Sequence, residues 1–351
     1  MAEHGIPRVL VIGTGSIGER HTRCFLETRR CEVSICEINA ELRSEVASRY
    51  AVSAVHADLD SALSDPPDPP NRPNRPNRPN RPNRPDMAVI CTPAHLHVDI
   101  ATRLLEAGIA VLCEKPLSAS LEGIERLGEL SSDQGARFSM AYPLRAHPLW
   151  IEVCQRVRSG ELGRPLEVVV VSGQHFPHYR PAYREIYYTD RATGGGVIQD
   201  GLTHVVNCVE WMIGPMTRVA ADCDHLALPG VDIEDSVHVI ARHGEVMVNY
   251  SMNQHQAPNE GQMMVICERG TIRVQADLMR WQEVAEPETP WTVHQLDPLV
   301  RDDIFVRQAH RFLDYVAGEA EPLCGFDEGL QTLRCNLAIM QAADSQAWVE
   351  V

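Results

Sequence analysis

Apolar residues over the first 140 positions alternate between short unbroken runs and longer stretches at helical spacing. Arg8 to Ile12 is a short apolar run that meets Gly13, and from Ile17 to Leu26 the apolar positions recur three and four residues apart. That combination predicts a strand feeding a helix. The unit repeats. Glu32 to Glu37 precedes a helix over Ala40 to Tyr50, and a weak strand at Val52 to Val55 precedes a short helix at Leu59 to Leu63. Met87 to Thr92 precedes Val98 to Ala107, which Gly108 stops, and Ile109 to Cys113 precedes Leu121 to Ser131. Phe138 to Tyr142 is a sixth strand. Strands alternating with helices imply a parallel sheet, so residues 1–142 are expected to form a Rossmann dinucleotide-binding domain.

After Pro143 the pattern changes. A helix at Trp150 to Ser159 and a long strand at Glu167 to His175 lead to closely spaced strands. These lie at Arg218–Leu226, Asp235–His243, Glu245–Gln254, Gln262–Cys267 and Thr271–Gln275. Short Gly-containing connections imply a mostly antiparallel sheet. Helices at Asp303–Val316 and Phe326–Gln346 close the chain, giving a second, α+β domain over residues 143–351. Within the first domain lies Asn71 to Pro85, five copies of Asn-Arg-Pro. Proline at every third position removes backbone donors and fixes φ, which suits an extended polyproline-like rod of about 45 Å. As a surface-loop expansion it costs little chain entropy.

With 44% hydrophobic and 23% charged residues the chain is globular, and 351 residues suit two cores better than one. A net charge of −16 opposes nucleic-acid binding, which relies on clustered cations. Residues 1–7 show no basic segment followed by an apolar stretch, so no signal peptide is expected, and no apolar run approaches the length of a membrane span. Eleven cysteines are scattered singly, without C-x-x-C spacing. That fits buried reduced thiols in a cytoplasmic protein without a zinc site.

Candidate chemistry sits where strands end. Gly13-Thr-Gly15-Ser16-Ile17-Gly18 lies at the first strand–helix turn. There the first glycine permits the turn, the second admits a pyrophosphate, and the third lets helix and strand pack closely. Glu37, 19 residues after Gly18, can bind the adenosine ribose and would repel the 2′-phosphate of NADP, which favours NAD; Arg43 lies close enough to matter. Thr92 and Pro93 end the fourth strand and are expected at the cofactor. His95 and His97 follow, where a helix-entry role competes with cofactor contact at His97. Glu114-Lys115-Pro116 ends the fifth strand, where an ammonium can stabilise a developing alkoxide. In Gly194-Gly-Gly196-Val-Ile-Gln-Asp200-Gly-Leu-Thr-His204, Asp200 and His204 stand i, i+4 on a predicted helix and share a face. The imidazole is suited to taking a hydroxyl proton, and the glycine run suits close approach to cofactor or substrate. No third ligand at suitable spacing points to a metal. The loop His175 to Arg191 offers His178, Tyr179, Arg180, Tyr183, Arg184, Tyr187 and Tyr188, whose side chains can bind several hydroxyls or an anionic group; an exposed turn is the competing explanation.

Together these residues resemble the Gfo/Idh/MocA family of glucose-fructose oxidoreductase and inositol dehydrogenase. The likeness runs through the glycine-rich turn with His21, Thr92-Pro93 with His97, Glu114-Lys115-Pro116, Arg145 and Pro148, Gly194 to His204, and Ser345 in the final helix. It implies a Rossmann domain and a C-terminal domain whose large open sheet serves as an oligomer interface, in a homodimer or homotetramer. It also implies Glu114 and Lys115 at the cofactor, and Lys115, Asp200 and His204 as catalytic residues. By that likeness His204 is the acid/base, with Lys115 the alternative proton acceptor; Lys115 orients and polarises the hydroxyl, and Asp200 binds substrate or orients the other two. Arg145, Tyr179, Arg180 and Tyr183 join Asp200 and His204 as expected substrate contacts. The expected activity is NAD-linked hydride transfer at a hydroxyl-bearing carbon of a sugar or cyclitol. A NAD-dependent glycosidase and a non-catalytic dinucleotide sensor are the alternatives.

Overall fold

The first apolar run forms β1 (Arg8–Ile12), whose Val9, Leu10 and Val11 are wholly buried, as a strand covered on both faces must be. In this computed structural model, residues 6–64, 84–133, 135–300 and 302–351 are described; the Asn-Arg-Pro repeats lie almost entirely outside them. The alternation continues through α1 (Ser16–Thr28), β2 (Glu32–Cys36), α2 (Ala40–Arg49), β3 (Val55–His56) and α3 (Leu59–Leu63). It resumes with β4 (Met87–Ile90), α4 (His97–Glu106), β5 (Ala110–Glu114), α5 (Ile124–Ser132) and β6 (Phe138–Ala141). The six strands pair in parallel in the order β3-β2-β1-β4-β5-β6, whose topological switch lies between β1 and β4.

The chain condenses into two units, and the division differs from a single cut at residue 142. Residues Arg301–Phe326 belong with the parallel sheet, whereas Lys115–Ser120 belong with the second unit. The reason lies in α9 (Asp303–Ala317). Its Ala309, Phe312 and Leu313 stand three or four residues apart and enter the core that contains Val9, Phe25 and Val33. Phe312 meets Phe25 edge to face at 6.4 Å, and Arg23 Nε donates to Asp302 Oδ2 at 2.5 Å. Burying side chains of that size contributes about 1.5–3 kcal/mol each, enough to keep the helix on α1.

In the second unit α6 (Pro148–Arg158), α8 (Thr203–Ile213) and α10 (Phe326–Ser345) cover one face of a nine-stranded sheet. The strands are β7 (Pro165–Gly173), β8 (Arg218–Asp224), β9 (Ser236–His243), β10 (Val246–Asn253), β11 (Glu260–Cys267), β12 (Gly270–Gln275), β13 (Arg280–Val284), β14 (Thr292–Gln295) and β15 (Val349–Glu350). A one-turn α7 (Phe176–Tyr179) follows β7. Only the β7–β10 pairing is parallel. The sheet alternates cleanly: Val168, Val170, Val239 and Val248 are buried, while Val169, Val171, Ile240 and Met247 face outward. β13, β14 and β15 are absent from the strand pattern read above. Under the helices His243 Nδ1 lies 2.8 Å from the Gly214 carbonyl, and the Tyr250 hydroxyl lies 2.9 Å from Nε2. A neutral ring protonated at Nδ1 satisfies both contacts, with Tyr250 as donor. Among the described residues no helix is long and apolar enough to cross a membrane, and all eleven cysteines are free.

Candidate active site

The glycine-rich turn has the shape that its three glycines require. Gly13 sits at φ 82°, and a Cβ there would lie 3.0 Å from the Cys91 carbonyl oxygen of the neighbouring strand end. A Cβ on Gly18 would fall 1.8 Å from the Gly13 carbonyl oxygen, so only glycine lets α1 start this close to β1. Gly15 differs: nothing lies within 4 Å of where its Cβ would be, and both it and Ser16 are exposed. No side chain caps α1, so the helix presents its first amides and its positive dipole end over Ser16 and Ile17. An open cradle at the uncapped end of a 13-residue helix fits a pyrophosphate.

Glu37, largely buried just past β2, accepts from the Thr14 amide at 2.7 Å and from the Asn39 amide at 2.9 Å. Its carboxylate therefore stands at the turn, where the ribose of a bound dinucleotide would need it. Arg43 points elsewhere, its Nη1 donating to the Glu37 backbone carbonyl at 2.5 Å. Beyond β4, Pro93 is exposed, and the buried Thr92 hydroxyl oxygen has no hydrogen-bond partner among the described residues. His97 is buried with Nε2 2.8 Å from the Thr92 carbonyl. The ring thus braces the Thr92-Pro93 turn, as a helix-entry residue would. Glu114 at the end of β5 is also buried and pairs with His21 Nε2 at 2.8 Å. Here the sequence motif that reads as cofactor contact supplies an internal strut between β5 and α1.

In the second unit Lys115 and Asp200 meet. Lys115 Nζ donates to the Asp200 backbone carbonyl at 2.8 Å and to its Oδ1 at 3.0 Å, and the Tyr187 hydroxyl donates to the same Oδ1 at 2.6 Å. Burial alone would raise the Asp200 carboxyl, but the Lys115 ammonium, the Arg180 guanidinium and the Tyr187 hydroxyl more than offset it. Asp200 therefore stays ionised far below the ordinary carboxylate range. Lys115 is the sole lysine in the chain; the other 31 residues of the Lys+Arg total are arginines.

The helix predicted to carry Asp200 and His204 on one face is not uniform. Asp200 lies in a π turn, Ile198–Leu202, in which the Thr203 amide reaches back to the Ile198 carbonyl, and His204 is the second residue of α8. The wider turn alters the i, i+4 relation, a local irregularity common at functional sites. His204 is half-buried, its ring edge-on to Tyr142 at 6.0 Å. The glycine run before the turn is explained by packing rather than by flexibility. A Cβ on Gly195 would sit 2.3 Å from the Tyr188 carbonyl oxygen, and one on Gly196, at φ 83°, would sit 2.1 Å from Glu234 Oε1.

Two expected substrate contacts are engaged elsewhere. Tyr183 is buried among Phe176 and Tyr188 and donates to the Pro229 carbonyl at 2.6 Å; it is a core residue. Arg145 is buried too, with Nε donating to Asn207 Oδ1 at 2.8 Å and Nη1 paired with Glu328. Tyr179 is exposed, and Arg180 acts electrostatically on Asp200. Tyr187, one of several side chains the loop offered, is the tyrosine that reaches Asp200, and nothing in a loop with four tyrosines tells which one does. Among the described residues no group of three or more His, Cys, Asp and Glu could hold a metal.

A parallel sheet in the order 3-2-1-4-5-6 with an open glycine cradle defines a dinucleotide-binding protein. Residues 7–142 match the model of an oxidoreductase family with an NAD-binding Rossmann fold, and residues 150–273 match the GFO/IDH/MocA C-terminal domain. The chain belongs to the Gfo/Idh/MocA oxidoreductase family. It is 24% identical to a levoglucosan dehydrogenase of Pseudarthrobacter phenanthrenivorans over 97% of both chains. It is 27% identical to an inositol 2-dehydrogenase of Acidothermus cellulolyticus over 69% of this chain. That alignment spans 64% of the dehydrogenase's own length, less than two thirds. A solved levoglucosan dehydrogenase in complex with NADH superimposes with a TM-score of 0.84 at 19% identity, covering 98% of this chain and 99% of the other, a shared fold.

Proposed function

We propose that this chain is a NAD-dependent dehydrogenase that exchanges a hydride with a hydroxyl-bearing carbon of a sugar, a sugar derivative or a cyclitol. One observation carries the reading: an ammonium held by Asp200 stands one residue beyond the fifth strand of a dinucleotide-binding sheet. The relatives named above support the substrate class, one being named for a cyclitol and one for an anhydro sugar. Glu37 beside the turn favours NAD over NADP, because a 2′-phosphate would meet its carboxylate.

When bound, the dinucleotide supplies the two-electron acceptor, so an alcohol and NAD+ yield a ketone, NADH and one proton. This chain's residues manage that proton. Lys115 sets a positive charge beside the reacting oxygen and lowers the cost of developing alkoxide. His204 takes the hydroxyl proton as the carbon loses its hydride, and returns it in the reverse direction. Asp200, itself bound by the Tyr187 hydroxyl, holds Lys115 in place. Tyr179 and Arg180 bind the remaining hydroxyls or an anionic substituent.

The test is NADH formation by the whole chain over a panel of inositols, sugars and sugar acids. Lys115→Ala and His204→Ala are each expected to cost about 100-fold or more in kcat/KM, and undiminished rates in both variants refute the assignment.

We further propose that the open face of the nine-stranded sheet seats a second copy of the chain. Val169, Val171, Ile240 and Met247 make an apolar patch on three neighbouring strands, which water does not favour. The free thiols and the charge of −16 fit a cytoplasmic protein that avoids nucleic acid.

A further inference from the structure

The π turn that presents Asp200 is built on one residue that no sequence motif singles out. Glu234, just before β9, has a side chain only 2% exposed. Its backbone carbonyl accepts from the Val197 amide at 3.0 Å and from the Tyr188 hydroxyl at 3.5 Å. Its carboxylate takes Arg191 Nε on Oε2 at 2.8 Å, while the buried Oε1 has no hydrogen-bond partner among the described residues. Its Oε1 fills the space that a Cβ on Gly196 would need. Two consecutive residues, Gly196 and Val197, thus rest on Glu234 at the entrance of the turn whose centre is Asp200.

Glu234 cannot shift cheaply. The adjoining Asp235 is wholly buried and accepts from the amides of Leu226, Ala227 and Leu228 and from the Ser236 hydroxyl, all at 2.7–3.1 Å. That anchorage pins the strand entry on which Glu234 is carried. On the far side, Gly201 lies so close to Met252 that a Cβ would stand 2.8 Å from its sulfur. The turn is clamped from both ends. Both acceptors that hold Lys115, the carbonyl and the carboxylate, belong to Asp200 at its middle, so an error in the turn's position moves both together.

We propose that Glu234 is a positioning residue for the reaction: by fixing residues 196 and 197 it sets where Asp200 holds Lys115. The proposal rests on the dehydrogenase reading only for its kinetic consequence. The geometric part is measurable without turnover, because a chain with one lysine labelled with [13Cε]-lysine gives a single lysine side-chain signal. Three whole-chain variants are compared with the natural chain: Glu234→Ala, Glu234→Gln and Arg191→Ala. Glu234→Ala is expected to move the Lys115 signal, Glu234→Gln to restore most of its position because a side chain of the same shape still packs against Gly196, and Arg191→Ala to move it less. With NAD+ and myo-inositol or levoglucosan as probes, kcat of Glu234→Ala should fall about tenfold or more while KM for NAD+ stays within about twofold. A Lys115 signal unmoved in Glu234→Ala overturns the proposal. Should that variant not fold, a signal unmoved in Arg191→Ala does the same. Absence of turnover in the natural chain on every probe would count against the dehydrogenase reading and leave the signal test intact.

Discussion

An arginine at position 115 would keep the positive charge but spread it over a planar fork that cannot place one nitrogen between the carbonyl and the carboxylate of the same residue. Lys115→Arg is therefore expected to lose about 100-fold or more in kcat while NAD+ affinity, measured by titration of the whole chain, stays near its natural value. Glu37 gives a contrasting case. Glu37→Ser removes the charge opposed to a 2′-phosphate but also releases the Thr14 amide. The ratio of NADP+ to NAD+ use should rise about tenfold while kcat/KM with NAD+ falls, and an unchanged ratio assigns cofactor choice to other groups. Much of this was legible from the chain alone, since Gly13, Gly15, Gly18, Glu37 and Lys115 each follow an apolar run that marks the strand. Tyr187 was not, because Tyr179, Tyr183 and Tyr187 recur at the same four-residue spacing and that spacing does not tell which of them faces Asp200. Only packing reveals that Tyr183 and Tyr188 turn inward while Tyr187 reaches Asp200.

At the scale of elements, the π turn explains why the residues around Asp200 tolerate so little. Gly196→Ala meets both a left-handed φ and the Glu234 carboxylate, and should lower kcat and the melting temperature together. The pattern of apolar positions could not disclose this turn, because an inserted residue leaves the helical spacing on either side intact. Short edge strands were hidden for a related reason: β14 and β15 have four and two residues, too few to show an alternation. The buried His243 adds a pH dependence. Burial, partly opposed by the Gly214 carbonyl, holds its ring near pKa 4, below its ordinary 6.5. Between those values the unfolded chain binds a proton that the folded chain does not, so stability falls as pH drops from 6.5 to 4 and is fully present above 6.5. The loss is on the order of 3 kcal/mol across the window. Thermal midpoints measured at pH 7 and pH 5 should show the decline, and His243→Gln should flatten it.

Taken whole, the molecule departs from a simple head-to-tail order. The chain returns at α9 to complete the core of its first unit, a pairing of distant segments that local spacing cannot announce although the amphipathic helix itself was plain. The outward face of the nine-stranded sheet sets the last expectation. Ile240→Asp and Val169→Asp should convert the assembly to monomers in light scattering, and a natural chain that is already monomeric at micromolar concentration would remove the second copy from that face. The arginine-rich composition has a further chemical consequence. Unprotonated primary amines attack the carbonyl carbon of reducing sugars and lose water to give Schiff bases, and this protein offers one side chain of that kind, nine-tenths sequestered beside an aspartate. Glycation at a lysine side chain must therefore fall on Lys115, and under the role proposed for it each adduct would silence one molecule.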